Sequence, residues 1–496
     1  MILLDGRSLT APLLARIAAG EGVALDEGAL ALVAENRAVV DRIVAEGRTV
    51  YGINTGFGQF ATVVIPPDQL QQLQLNLVRS HAAGVGDPLP VDQTRALLAA
   101  RINCLLKGHS GIRPEPIRLL AECLNRGVVP VVPCQGSVGA SGDLAPLAHM
   151  ALLLVGEGLA WSGDKHIPGG QALAQAGLSP VTLLAKEGLA LINGTQLITS
   201  LGNLAVEKFT RLTKLADEIA GLSLEALRGT RSAFDPRIHA ARPHPGQIEV
   251  AQHMREILGP TSAIAESHQD CHRVQDAYSL RCIPQVHGVT RDALSFAGAI
   301  LERELNSATD NPMIFTDTQE SQSGGNFHGQ YPAFACDMLA IAAADLASMS
   351  ERRQERLVNP AYSDLPAFLT QNGGLESGFM MAHVTSAALV SEMKGLAHPA
   401  CVDSIPTSAG KEDHVSMGPI AARQLLRAVD ALELVLAIEA RMALEGLRIL
   451  GLAPGLGLQP LMECLGRACA PWSDRAMFEE IHATLQALNT YLDSNP

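Results

Sequence analysis

Gly418-Pro-Ile-Ala-Ala-Arg-Gln-Leu-Leu-Arg-Ala-Val-Asp-Ala-Leu-Glu-Leu-Val-Leu-Ala-Ile438 carries apolar residues at steps of three and four. Leu425, Leu426, Val429, Leu432, Leu434, Val435 and Ile438 wind round much of a helix. A helix apolar on so many sides is buried, most often among other helices. The same period recurs near 200–226, 287–309, 333–358, 376–397 and 474–492. Asn311-Pro312, Asn359-Pro360, His398-Pro399 and the glycine pairs at 324–325 and 373–374 separate these stretches. The first ~200 residues mix short helical patterns with breaks such as Gly84-Val-Gly-Asp-Pro88 and Val129-Pro-Val-Val-Pro133. The expected fold is mainly α. A mixed N-terminal domain over 1–200 holds any sheet, and a long-helix bundle with a C-terminal cap follows over 201–496.

The chain has 496 residues, 47% hydrophobic and 4% aromatic, enough for a large core. Its formal net charge of −14 argues against nucleic acid or an anionic membrane surface as main partner. The nine cysteines form no Cys-x-x-Cys pair, and an odd count in a long chain suits free thiols in a reducing cytoplasm. Met-Ile-Leu-Leu-Asp-Gly-Arg7 lacks the regions of a signal peptide, and apolar runs such as 147–155 are too short to span a bilayer. A cytoplasmic protein is expected.

The chemistry is concentrated in Gly136-Ser-Val-Gly-Ala-Ser-Gly-Asp-Leu-Ala-Pro-Leu-Ala-His149. Its Ala140-Ser141-Gly142 can react with itself. The Gly142 nitrogen attacks the Ala140 carbonyl carbon, and loss of water from Ser141 leaves an exocyclic methylidene. No ordinary side chain is an electrophile, so an enzyme needing one binds a cofactor or builds one. Alone, the tripeptide reads as a loop. Two further stretches stand out. Tyr51-Gly-Ile-Asn-Thr-Gly-Phe-Gly58, with three glycines, suits a mobile lid. In Arg273-Val-Gln-Asp-Ala-Tyr-Ser-Leu-Arg-Cys282, Gln275, Tyr278 and Arg281 are three apart, so a helical turn would place them on one face.

The 136–149 string resembles the loop from which the aromatic amino acid ammonia-lyases form a methylidene-imidazolone (MIO), those acting on histidine above all. Similar motifs recur in order from Tyr51 to about Gly418. The resemblance implies a fumarase/aspartase-like helical core and a homotetramer whose active sites draw on more than one chain. It also implies roles. Tyr51 is the base, and its phenol would need a lowered pKa to serve. Asn193, in Ile192-Asn-Gly-Thr-Gln196, hydrogen-bonds the ring oxygen. Arg281 anchors the substrate carboxylate with its fork, while Gln275 and Tyr278 orient substrate and assist proton movement. Phe327 packs near the ring. His81, after Ser80, and Glu412 meet an imidazole; Met380 also matches the histidine-acting members. The reaction implied is loss of ammonia from L-histidine to give trans-urocanate, the entry to histidine degradation, with no diffusible cofactor.

Three alternatives are weighed. The same machinery serves phenylalanine and tyrosine ammonia-lyases and aminomutases, against which Ser80-His81 and Glu412 count. A silent helical scaffold would have lost a ring-forming or base residue, and none is lost. Ser267-His-Gln-Asp-Cys-His272 puts His268 and His272 at helical i, i+4 spacing, but its ligands cannot all converge from one helix, so no metal is expected. Lys411, Met393, Arg441 and Glu445 depart from the family pattern and bear on substrate preference and helix contacts.

Overall fold

Helix Gly418–Leu450 forms as its pattern requires. Leu425, Val429, Leu432, Val435 and Ile438 are buried, while Asp430 faces solvent. It belongs to a computed structural model whose described residues are 1–269 and 274–494. Among the described residues the other long helices are Glu27–Ala45, Gln196–Ala226, Ile283–Leu305, Gln330–Val358 and Met477–Ser494. Helix Gln330–Val358 exceeds what the apolar runs suggest. By length and composition it could cross a bilayer, yet 61% of its apolar window is buried inside the protein.

The mainly α reading holds, with two differences. The chain separates into compact units that do not divide at residue 200. One comprises Met1–Glu207, Ala297–Asp337 and Pro399–Leu426; the other comprises Lys208–Phe296, Met338–His398 and Arg427–Pro496. Sheet is also not confined to the N-terminal part. Met313–Phe315 and Glu320–Gln322 form an antiparallel hairpin, turned by Gln319 at φ 57. Its Ile314 is fully buried, donates N–H to the His109 carbonyl at 2.8 Å and accepts Asn36 Nδ2 at 2.8 Å. The hairpin is therefore stitched to residues 205 and 278 positions earlier.

In the first unit, strand Pro133–Gln135 pairs antiparallel with Val85–Pro88 and delivers the chain into Gly136. Helix Leu144–Leu154 carries it away. The second unit buries charge among its helices. Arg353 and Glu439 pair at 2.5 Å with neither exposed, and Ser223 and Ser350 also donate to Glu439. Asp217 accepts from His253, His287 and Arg291. Buried carboxylates must be matched this fully to be tolerated. Arg441 and Glu445 find their reason here. Arg441 is 1% exposed, pairs with Glu445 at 3.0 Å and Glu480 at 2.9 Å, and donates to the Ala470 carbonyl, tying the C-terminal segment to helix Gly418–Leu450. Met393 is fully buried.

Candidate active site

The 136–142 loop is held from three sides. Ser137 Oγ donates to the Gly142 carbonyl and accepts the Gly139 N–H, both at 3.1 Å, drawing the ends of a tight turn together. Met417 N–H donates to the Val138 carbonyl at 2.8 Å, and Ser416 Oγ to the Gly139 carbonyl at 3.0 Å. Asp143 N–H donates to the Gly194 carbonyl at 2.7 Å. Gly142 has φ +69, and a Cβ there would meet the Gly194 oxygen at 2.1 Å. Only glycine fits, which also leaves its nitrogen uncrowded. The residues present thus suit ring closure: a compressed turn, an unhindered nitrogen, and a half-buried Ser141 between.

Asp143 anchors the loop to the next helix. It is fully buried, and its Oδ2 accepts the N–H groups of Leu197 (2.8 Å) and Ile198 (3.1 Å) in the first turn of Gln196–Ala226. Burial pushes its pKa up to about 7 against those donors, with Glu304 adding to the rise and Arg101 opposing it. The aspartate stands within the quoted 136–149 string, but its burial was not legible from it.

A cavity of about 550 Å³ opens on the loop. Tyr51, His81, Ala140, Ser141, Phe327 and Glu412 all line it, drawn from five separate stretches of chain. Tyr51 lies in a loop closed by hydrogen bonds: Gly56 N–H donates to the Val63 carbonyl and Ile65 N–H to the Asn54 carbonyl, each at 2.9 Å. Gly52 must be glycine, since φ is +76 and a Cβ would press on Leu189 and Pro312 at 2.8 Å. Burial holds the Tyr51 phenol above its ordinary value; a hydrogen bond involving Gly58 opposes this and the Glu412 carboxylate adds to it. The lowering that a base needs is therefore not supplied by these neighbours. His81, at the end of helix Leu70–His81, is pushed down by burial, against the Leu77 carbonyl and Glu412. It is a neutral imidazole near pH 7.

Glu412 is positioned by a residue outside the sequence reading. Thr407 Oγ1 donates to its Oε2 at 2.5 Å, and the backbones of the two residues pair across the 408–411 turn. Lys411 lines the same cavity, yet among the described residues no ion pair joins it to Glu412. His328 and His414, also lining it, stack with ring centroids 5.8 Å apart, and His328 Nε2 meets the His414 carbonyl at 3.1 Å. Asn193 follows helix Glu187–Ile192 and is 2% exposed.

The other candidates belong to the second compact unit. Tyr278 and Arg281 bound a one-turn helix, with the Arg281 guanidinium 4.7 Å from the Tyr278 ring centre. Gln275 is not on that turn, contrary to the spacing. Asp276 accepts the Thr230 N–H at 2.6 Å, and Ala277 is extended, so the helix begins only at Tyr278. Gln275 and Arg281 still line one cavity of about 460 Å³, and Tyr278 is 71% exposed. Met380 opens helix Met380–Leu396. The Ser267–His272 candidate runs into positions outside the described residues; among the described residues no cluster of His, Cys, Asp and Glu could hold a metal.

Known proteins resemble the chain over nearly its whole length. The chain is 53% identical to a histidine ammonia-lyase of Gloeobacter violaceus over 492 residues, 98% of this chain and 95% of that one. The crystal structure of histidine ammonia-lyase from Trypanosoma cruzi superposes with a TM-score of 0.92 at 46% identity, covering 99% of this chain and 95% of that one. A tyrosine aminomutase from Streptomyces globisporus superposes at 0.93 with 36% identity, covering 99% and 97%. A family model for aromatic amino acid lyases matches residues 9–465, so the chain belongs to the aromatic amino acid lyase family.

Proposed function

We propose that the chain eliminates ammonia from L-histidine to give trans-urocanate, using an MIO group formed from Ala140-Ser141-Gly142. The observation that carries this is one cavity uniting the 140–141 loop with a phenol, an imidazole and a carboxylate. The MIO group supplies the electrophile that side chains lack. The chain's own residues supply the rest. Tyr51 takes the β-proton. Arg281 grips the carboxylate, with Gln275 and Tyr278 beside it; the exposure of Tyr278 suits a homotetramer whose sites are completed by more than one chain. Phe327 walls the cavity over the loop. Glu412 and His81 face the substrate ring, and Met380 belongs to the same specificity set. The cytoplasm is the proposed location.

The substrate assignment rests on pairing. A carboxylate and an imidazole can each accept from or donate to a substrate imidazole. A benzene ring leaves both unpaired, at ~1–3 kcal/mol each. Parent protein offered histidine, phenylalanine and tyrosine separately should therefore prefer histidine, read as the ultraviolet absorbance of each acrylate product. A ratio of kcat/KM favouring phenylalanine or tyrosine overturns the assignment, and a β-amino acid product would mark an aminomutase instead.

Glu412→Ala should lower kcat/KM for histidine by ~10²-fold or more, since a site built to hydrogen-bond suffers most when its partner is lost. Thr407→Val should cost about tenfold, chiefly in KM, because it frees the Glu412 carboxylate to rotate without removing it. Equal losses in the two variants would mean that Thr407 acts on the fold and not on Glu412.

A further inference from the structure

Lys186 and Asp310 form an ion pair at 2.8 Å with both side chains fully buried. Stability does not explain it. Taking two charges out of water costs several kcal/mol per ion, and replacing such pairs by apolar residues is often neutral or stabilising. Lys186 also sits at φ 72, a left-handed conformation unusual for a side-chain-bearing residue. Strain and desolvation meet in one residue, immediately before helix Glu187–Ile192.

The other end of Asp310 shows what the pair holds. Its Oδ2 takes Lys186 Nζ, while its Oδ1 accepts Asn193 Nδ2 at 3.0 Å and the Asn311 N–H at 2.6 Å. Asn193 Nδ2 also donates to the Asn311 carbonyl at 3.0 Å. Both partners of that nitrogen are acceptors only, so the amide has one permitted orientation. Both its N–H groups are spent. Asn193 Oδ1, by contrast, is buried and unpartnered. The next residue, Gly194, pairs with Gly142 and accepts the Asp143 N–H. The amide therefore stands at the foot of the ring-forming loop with an acceptor to spare.

We propose that Asp310, neutralised by Lys186, is a positioning residue: it locks the Asn193 amide with its oxygen free to accept an N–H at the 140–142 loop. This rests on the reading that the loop cyclises. It assigns Asn193 an acceptor's part while the loop is still open, where the family resemblance alone suggested a donor to the ring oxygen. An acceptor is what closure requires, because the N–H groups of Ser141 and Gly142 must both give up their protons as the first water leaves.

Two double variants separate positioning from folding. Lys186→Met/Asp310→Asn removes both charges but keeps an oxygen for the Asn193 amide. Lys186→Met/Asp310→Leu removes the charges and the oxygen; Lys186→Met/Asp310→Ala replaces it should leucine not be accommodated. Each full-length protein is assayed for thermal midpoint and, by peptide mass, for the fraction of chains whose 140–142 peptide is lighter by two waters. The asparagine variant should retain most of the parent fraction. The leucine variant should melt at a similar temperature yet fall about tenfold or more in that fraction. Equal fractions in the two variants, high or low, overturn the inference, since charge or fold would then be all that matters. A parent peptide at full mass would instead overturn the ring reading itself.

Discussion

Ser141→Ala should fold as the parent does and lose nearly all turnover, a fall of ~10³-fold or more, which is the scale for losing a main source of transition-state stabilisation. The reason is a balance of atoms. Closure forms a bond from the Gly142 nitrogen to the Ala140 carbonyl carbon. The Ala140 oxygen departs as water with the protons of the Ser141 and Gly142 nitrogens. The second water takes the Ser141 hydroxyl and the proton on its Cα, leaving the methylidene. Alanine has no hydroxyl to lose, so the electrophile cannot form even if the ring closes. The fold has little stake in that oxygen: the turn is held by Ser137, Ser416, Met417 and Asp143. Peptide mass gives the check. The parent 140–142 peptide should be lighter by two waters, and the variant should never show the second loss. An active parent at full unmodified mass, or a variant with parent-like turnover, would remove the ring from the mechanism.

The same geometry shows why part of the site was readable in the chain and part was not. Ala140-Ser141-Gly142 and the glycine-rich stretch at Tyr51 were readable from their own chemistry, whereas His81, Phe327 and Glu412 were legible only through the family resemblance; the structure brings all five stretches to one cavity. The helices were readable because burial imposes a period on sequence, as at Leu425, Val429 and Leu432. Positioning contacts leave no such trace. Lys186 and Asp310 are 124 residues apart, and nothing in either neighbourhood names the other. Thr407 lies within five residues of Glu412, but a threonine in a loop has too many uses to be singled out. Gln275 shows the opposite failure. Its spacing from Tyr278 satisfies a helix, yet the Thr230–Asp276 hydrogen bond, spanning 46 positions, delays the helix until after it. The hairpin at 313–322 was hidden likewise, since its strands are three residues each and stabilised through Ile314 by distant chain. Arg441 and Glu445 were readable as departures, but not as partners of Glu480 and Ala470.

Tyr51→Phe should lower kcat by ~10²- to 10⁴-fold, the usual worth of a positioned general base, while KM changes far less. Only a hydroxyl is removed, and the ring contact with Phe57, 6.5 Å between centroids, remains. The pH profile carries a second, independent expectation. Burial, with Glu412 nearby, holds the phenol above its ordinary value in the single chain, so at neutral pH it is almost wholly protonated. A base must be deprotonated to act. Below its pKa the active fraction grows about tenfold per pH unit, so parent kcat/KM should climb as pH rises from 7. A cation brought by substrate or by a neighbouring subunit would shift that climb to lower pH without abolishing it. Tyr51→Phe should lose the climb as well as the rate, which a merely structural tyrosine would not. The competing base is His81, which shares the cavity and is kept neutral by burial. An imidazole already neutral at pH 7 would give a profile flat above 7 in the parent. A flat parent profile together with turnover within a few-fold of parent in Tyr51→Phe would transfer the role to His81.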